Sequence, residues 1–152
     1  MEIIVRKMVE EDVDSILEIE KEAFTTPWSR EAFLTEIKEN LLAYYLVAEV
    51  DGKVVGYGGI WLILNEGHIT NIAVKEEYKG NGIGNHILEG LICYCMKNGI
   101  DNMTLEVRES NLIAQNLYKK YSFVSSGKRP NYYSDDGEDA IIMWRTNRVE
   151  NE

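Results

Sequence analysis

The sequence predicts a single α/β domain, residues 1–152, with a mixed central sheet flanked by helices. Three observations carry that prediction. Segments with two-residue alternation and segments with helical spacing follow one another in the order β-α-α-β-β-β-α-β-α-β-β. A glycine-rich turn, Tyr78-Lys79-Gly80-Asn81-Gly82-Ile83-Gly84, joins a strand to a helix. The 152 residues are 45% apolar, enough to bury a core without disulfides or metal, and show no repeat, linker or low-complexity stretch.

Taken in order, Glu2 to Lys7 alternates as a first strand. Val13, Ile16, Leu17 and Phe24 recur at helical spacing behind an acidic first turn, which the helix dipole favours. Pro27 breaks the chain, and Ser29 is placed to cap a second helix with Phe33 and Ile37 on one face. Tyr44 to Val50 and Lys53 to Leu64 are rich in β-branched and aromatic residues, and Asp51-Gly52 between them is a two-residue hairpin turn. Ile69 to Val74 is the strand entering the glycine turn. Beyond it Ile87, Leu88, Leu91, Ile92, Cys95 and Met96 form one apolar stripe, ended by Asn98-Gly99. Met103 to Val107 is another strand, and Asn111 caps a short helix carrying Ala114, Leu117, Tyr118 and Tyr121 on one face. Strands near Phe123 to Gly127 and Ala140 to Arg145, with a polar loop at Ser134 to Asp139 between them, finish the chain.

Charge narrows the partners. The net charge of −10, from 26 acidic and 16 basic residues, argues against nonspecific nucleic-acid binding, which needs a basic footprint. An acidic surface instead favours encounter with a basic protein. No apolar run reaches the length of a membrane span, and the first residues have neither signal-peptide nor transit-peptide character, so a cytoplasmic location is expected. Cys93 and Cys95 lie two apart on a helix and face different ways, so they are read as buried, reduced thiols. With only His68 and His86 besides, no metal-ligand spacing is present and no metal is expected.

The glycine turn is the strongest chemical signal. Amides that open a helix lack intrahelical partners, and glycines at alternate positions clear side chains from their approach, which makes a receptor for phosphate. A Walker loop would need Lys and Ser or Thr after its last glycine, but Asn85 and His86 follow. A dinucleotide fingerprint needs its third glycine three residues after the second, and Gly84 comes two after Gly82. Nucleotide hydrolysis and nicotinamide chemistry are both disfavoured, while a plain glycine-rich turn without a ligand stays open at this point.

Lys79 to Gly84 resembles the Q/R-x-x-G-x-G/A pyrophosphate loop of the GNAT N-acetyltransferases, which bind acetyl-CoA. Phe24 to Phe33, Leu105 to Phe123, Arg129 to Tyr133 and Glu138 to Met143 add further blocks. Together they resemble the bacterial ribosomal-protein-alanine N-acetyltransferase (RimI) branch over essentially the whole chain. Two positions depart from that pattern: Lys79 where the branch usually has Gln or Arg, and Ser122 where it usually has Gly. The first exchanges a planar contact for a point charge.

The resemblance implies the GNAT acyl-CoA N-acyltransferase fold and direct acetyl transfer from acetyl-CoA to the N-terminal α-amine of a protein, the alanine of a small-subunit ribosomal protein being the expected one. It implies Glu106 as general base and Tyr118 as general acid. It places Ile72, Ala73 and Val74 along the pantetheine, one backbone amide among them polarising the thioester oxygen. It puts Lys79, Gly80, Asn81, Gly82, Ile83 and Gly84 on the pyrophosphate, and Asn111 as a further coenzyme contact. Residue chemistry is compatible: Glu106 interrupts the apolar strand Met-Thr-Leu-Glu-Val, and a tyrosine hydroxyl with a pKa of about 10 suits protonation of a thiolate. Trp28, Tyr132 and Tyr133 are candidates to line a peptide groove, with plain packing as the alternative. Asp135, Asp136, Glu138 and Asp139 are candidates to meet basic substrate residues, although a solvated loop is the simpler reading; His68 is read as structural.

A magnitude favours the α-amine. Its pKa is about 8 against about 10.4 for lysine, so near neutral pH roughly a fifth of the former and about a thousandth of the latter is neutral. A lysine or small-molecule amine acetyltransferase remains an alternative, as does a noncatalytic CoA-binding sensor module. No cysteine has surroundings that would activate it, so direct attack in a ternary complex is expected over an acyl-enzyme.

Overall fold

The computed structural model describes residues 1–24 and 26–147. Seven strands form one sheet: β1 (Ile4–Lys7), β2 (Ala43–Val50), β3 (Lys53–Ile63), β4 (Glu66–Val74), β5 (Asn102–Arg108), β6 (Val124–Arg129) and β7 (Ala140–Thr146). Four helices accompany them: α1 (Val13–Ala23), α2 (Arg30–Glu39), α3 (Ile83–Lys97) and α4 (Leu112–Lys120). The order of strands and helices is the one read from the sequence, and short 3-10 turns at Glu10–Asp12 and Glu76–Tyr78 are added to it. Among the described residues no helix is long and apolar enough to cross a membrane.

Local chemistry sets most boundaries. Ser29 accepts a hydrogen bond from the Ala32 amide and starts α2, and Asn111 does the same for α4 through Ala114. Asp51 and Gly52 both have positive φ, 51° and 76°, the mirror-image turn that suits the twist of a hairpin. The β3–β4 connection is a second tight turn at Leu64 and Asn65, so β4 begins at Glu66, three residues before the strand expected from Ile69.

The sheet runs β1-β2-β3-β4-β5-β7-β6, and every neighbouring pair is antiparallel except β4 with β5. That one parallel pairing is short: Glu66 to His68 pair with Asn102 to Thr104, and beyond them the two strands share no ladder. Both strands continue, to Val74 and Arg108, so the sheet opens into a slit between them.

Two cores cover the two faces. On one, α3 lays Ile83, Ile87, Leu88, Leu91, Ile92 and Cys95 against Leu46, Val55, Ile69, Met103 and Leu105 of the sheet. On the other, Ile16, Ile19 and Phe33 from α1 and α2 pack on Tyr45, Val47 and Tyr57. Gly58 lets α3 settle onto β3, because a Cβ there would stand 2.5 Å from a methyl carbon of Ile87. Two expectations for α3 need correction. Met96 is 49% exposed and lies off the apolar stripe, and Cys93 is exposed while Cys95 alone is buried. Position 93 falls two residues from 95, about 200° round the helix, so both cannot face the sheet.

Helix α4 ends in a Schellman motif: the Phe123 amide donates to the Tyr118 carbonyl and the Ser122 amide to the Lys119 carbonyl. The Tyr118 and Phe123 rings meet edge to face at 5.7 Å, the apolar contact this cap uses. Ser122 carries the left-handed turn, with φ 71°. A glycine there would avoid the strain, since a Cβ in that region costs roughly 1–2 kcal/mol. Ser122→Gly is expected to stabilise the protein by about 1 kcal/mol in chemical denaturation. A neutral or destabilising result would mean that the cap tolerates its strain.

Candidate active site

The slit between β4 and β5 exists because β4 carries a bulge. Asn71 pairs with Gly59 and Ile69 with Ile60, which leaves Thr70 as the extra residue. The bulge reverses which positions face which side. Ile69 packs with the α3 core, as do Ile72 and Val74 beyond the bulge, whereas Ala73 joins the α1/α2 core. The Lys75 amide donates to Val55 of β3. By alternation along an antiparallel ladder, Ile72 and Val74 turn their amides away from β3, towards the open edge.

Side chains enter this slit from both faces. On β5, Leu105 and Val107 belong to the α3 core, so Glu106 projects on the α1/α2 side. Its side chain is 24% exposed and accepts a 3.2 Å charge-assisted hydrogen bond from Arg129 Nε. Tyr118 comes from α4 on the opposite face, 7% exposed, with no hydrogen-bond partner for its hydroxyl among the described residues. Burial first, and the neighbouring Tyr133 hydroxyl second, hold the Tyr118 pKa well above the ordinary tyrosine value. That corrects the expectation of a value near 10 and makes Tyr118 a hydrogen-bond donor that stays protonated.

A cleft of about 800 Å³ unites these groups. Of the residues singled out in the sequence, Glu106, Tyr118, Ile72, Asn111, Trp28 and Tyr133 line it, together with Asp135, Asp136 and Glu138 of the acidic loop. Tyr132 does not line it; it stands edge to face with Tyr133 at 5.1 Å and is half exposed. Ala73 and Val74 also lie outside its lining, as does the whole turn from Lys79 to Gly84. His68 binds Glu66 at 2.9 Å away from the cleft.

The Asp135, Asp136 and Glu138 carboxylates are not free to meet a substrate, which corrects one expectation. All three accept from the Arg108 guanidinium, which also lies 4.0 Å from the Tyr133 ring centroid. The fourth member, Asp139, accepts from the Asn131 amide. The cluster is thus a clamp that fixes the β6–β7 loop and Tyr133 beside the cleft. Burial is the largest cause raising the Tyr133 hydroxyl to about 12.

Sequence reasoning missed Glu20 and Asn71. Both line the cleft and are joined to each other by a 3.0 Å hydrogen bond. Glu20 falls on the apolar stripe of α1 with Ile16 and Ile19, and Asn71 is a polar residue directly before the apolar run Ile72-Ala73-Val74. A polar residue on a core stripe was the available signal.

Around the glycine turn the geometry separates two reasons for glycine. Gly80 and Gly82 have φ of 84° and 79°, and an added Cβ at either meets nothing within 4 Å. Within the protein itself, their cause is therefore backbone conformation and not packing. Gly84 is helical, and its Cβ would touch Leu117 of α4 at 3.4 Å. Gly82 occupies the N-cap of α3 with no side-chain cap, so the opening amides of the helix stay available. Lys79 pairs with Glu76 at 2.8 Å, and the Ile83 side chain is buried in the core, leaving its backbone for any ligand. Gly82→Ala is expected to cost about 1–2 kcal/mol by denaturation, all of it conformational. If these amides hold an anionic ligand, the same variant raises its KM several-fold.

The acetyltransferase (GNAT) family model matches residues 13–123. The chain belongs to the GNAT acetyltransferase family. Among the relatives of this GNAT chain, a Bacillus subtilis (strain 168) protein provisionally named as a ribosomal protein bS18-alanine N-acetyltransferase is 46% identical over 142 residues, covering 93% of this chain and 94% of that protein. The ribosomal protein bS18-alanine N-acetyltransferase of Escherichia coli (strain K12) is 37% identical over 134 residues, 87% of this chain and 89% of its own length. The crystal structure of the ribosomal-protein-S18-alanine N-acetyltransferase from Escherichia coli superposes with a TM-score of 0.88 at 31% identity, covering 99% of this chain and 97% of that one. The fold expected from the glycine turn and its companion blocks is the fold found.

Proposed function

We propose that this GNAT enzyme transfers acetyl from acetyl-CoA to the N-terminal α-amine of a protein, most favourably the N-terminal alanine of the small-subunit ribosomal protein bS18. The relatives carrying that name cover nearly the whole chain. The observation that carries the chemistry is the β4–β5 slit, which brings Glu106 and Tyr118 from opposite sheet faces into one cleft. The whole chain acts as one domain in this reading, in the cytoplasm, where ribosomal proteins are made.

Each residue has a task. The turn from Lys79 to Gly84, with the free amides of α3, receives the pyrophosphate. Ile72, Ala73 and Val74 contribute backbone along the pantetheine, and the outward-turned amide of Ile72 or Val74 polarises the thioester oxygen. Asn111, at the N-terminus of α4, lies against the same cosubstrate. On the other face Trp28, Tyr132 and Tyr133 border the entering peptide. Glu106 takes a proton from the α-amine, directly or through one water, as the nitrogen attacks the carbonyl carbon. The carbon–sulfur bond breaks, and Tyr118 donates to the departing sulfur. The high pKa of Tyr118 favours donating a hydrogen bond first, with proton passage once the thiolate is itself desolvated in the same cleft.

The test is acetylation of unmodified bS18 by pure enzyme and acetyl-CoA, followed by fragment mass analysis. Acetyl confined to the first residue is the expected result. Acetyl on lysines instead would move the assignment to the lysine-acetylating alternative.

A further inference from the structure

The cleft carries five carboxylates in its lining: Glu20, Glu106, Asp135, Asp136 and Glu138. Four have a cation. The last three share Arg108, and Glu106 holds Arg129. Glu20 has none among the described residues, although it is only 2% exposed.

Its hydrogen bonds are few and one is long. Oε1 accepts from Asn71 Nδ2 at 3.0 Å, and Oε2 accepts from the Trp28 amide at 3.4 Å. Glu36 makes a useful contrast within the same molecule. It is 7% exposed and also lacks a cation, but it accepts from Asn40 Nδ2, Tyr45 Oη and Trp61 Nε1, all between 2.7 and 2.8 Å. A carboxylate kept for structure alone is satisfied in that manner, because burying a charge without partners is expensive. Glu20 is held out of water with spare acceptor capacity, and its exposed edge is a wall of the cleft.

Its neighbours also hold it rigidly. Asn71 Nδ2 donates in addition to Tyr57 Oη at 2.7 Å, and Thr70 Oγ1 donates to Asn71 Oδ1 at 3.1 Å. Thr70 is the bulge residue itself, so the network ties Glu20 to the feature that opens the slit. The carboxylate is fixed at the α1 side, the face from which Glu106 also projects.

We propose that Glu20 receives the α-ammonium of the substrate on entry and docks it in the cleft before Glu106 removes the proton. This rests on the reading of the enzyme as an α-amine acetyltransferase. The ionic state of the substrate fits: with a pKa of about 8, most of an α-amine arrives as ammonium near neutral pH. Glu106 already faces a guanidinium, so the carboxylate left to attract that cation is Glu20. Its role is to bind the amine; the bond-making steps remain with Glu106 and Tyr118.

The test uses equilibrium binding in the presence of CoA, which cannot transfer acetyl. Two peptides beginning with alanine are compared by calorimetry, one with a free α-amine and one in which that amine is replaced by hydrogen. Wild-type protein should bind the free-amine peptide at least about tenfold more tightly, as a desolvated charge pair requires. Glu20→Gln should bind the two alike, bind the desamino peptide as the wild type does, and keep its affinity for CoA. If Glu20→Gln retains the preference, the proposal is overturned. Should Glu20→Gln fail to fold, Glu20→Asp replaces it: the withdrawn carboxylate should weaken only the free-amine peptide, and equal weakening of both overturns the proposal. A wild type that acetylates the peptide without preferring the amine in binding overturns Glu20's role and leaves the enzyme assignment standing. A wild type that acetylates no α-amine overturns both.

Discussion

Glu106→Gln lowers kcat by about 10²- to 10³-fold while KM for acetyl-CoA stays within a factor of two or so, the effect expected when a general base is removed from a preformed cleft. The amide is isosteric and keeps an oxygen for Arg129 Nε, which now donates to the Glu106 carboxylate at 3.2 Å. Loss of activity through misfolding is therefore not expected, and stability should change by less than about 1 kcal/mol. The deficit should depend on pH in a defined direction. Below about pH 8 a growing share of the α-amine is protonated and needs a base, so the deficit widens; above it the amine is already neutral and the deficit shrinks. Steady-state kinetics across that range measure this. A variant with wild-type turnover throughout would remove Glu106 from the mechanism.

Tyr118→Phe should lower kcat by roughly 10²-fold through loss of the donor to the departing sulfur. The ring contact with Phe123 at 5.7 Å survives the change, and the hydroxyl gives up no hydrogen bond among the described residues. The fold should therefore be retained with little change in stability. Because burial raises the pKa of Tyr118, its hydroxyl remains protonated up to and beyond pH of about 10, and turnover should show no alkaline limb from this residue below that value. The sign for stability is the same. The native state favours the neutral phenol, so its contribution is complete below the unfolded pKa of about 10 and declines as pH rises towards the higher folded value. An acetyl donor with a less basic leaving thiol needs less help and should narrow the gap between Tyr118→Phe and wild type. An unchanged gap would assign Tyr118 to packing.

Features of this molecule were legible in proportion to how local their causes are. Ser29 and Asn111 cap helices through contacts three residues away, and Asp51-Gly52 turns a hairpin through its own dihedral angles. The slit is different in kind. It depends on β4 and β5 parting after three paired positions, strands that are joined only through α3. The bulge at Thr70 compounds this, since it puts Ile69, Ile72 and Val74 on one face and breaks any alternation that the strand sequence could display. Arg108's grip on Asp135, Asp136 and Glu138 likewise joins segments distant in the chain, so a clamp read as a solvated acidic loop. Ser122 shows the reverse case: the departure from glycine was visible by resemblance, but its left-handed φ of 71° was not. Glu20 was legible in principle, as a carboxylate on the same helical stripe as Ile16 and Ile19.

The most direct measurement pairs two hexapeptides of the same interior with the pure protein and acetyl-CoA, and locates the added acetyl group by mass spectrometry. One peptide begins with free alanine and lacks lysine; the other is blocked at its N-terminus and carries one internal lysine. Acetylation of the free α-amine with the lysine untouched is the predicted result. Acetylation of the lysine peptide, with the alanine peptide left unmodified, would contradict the assignment.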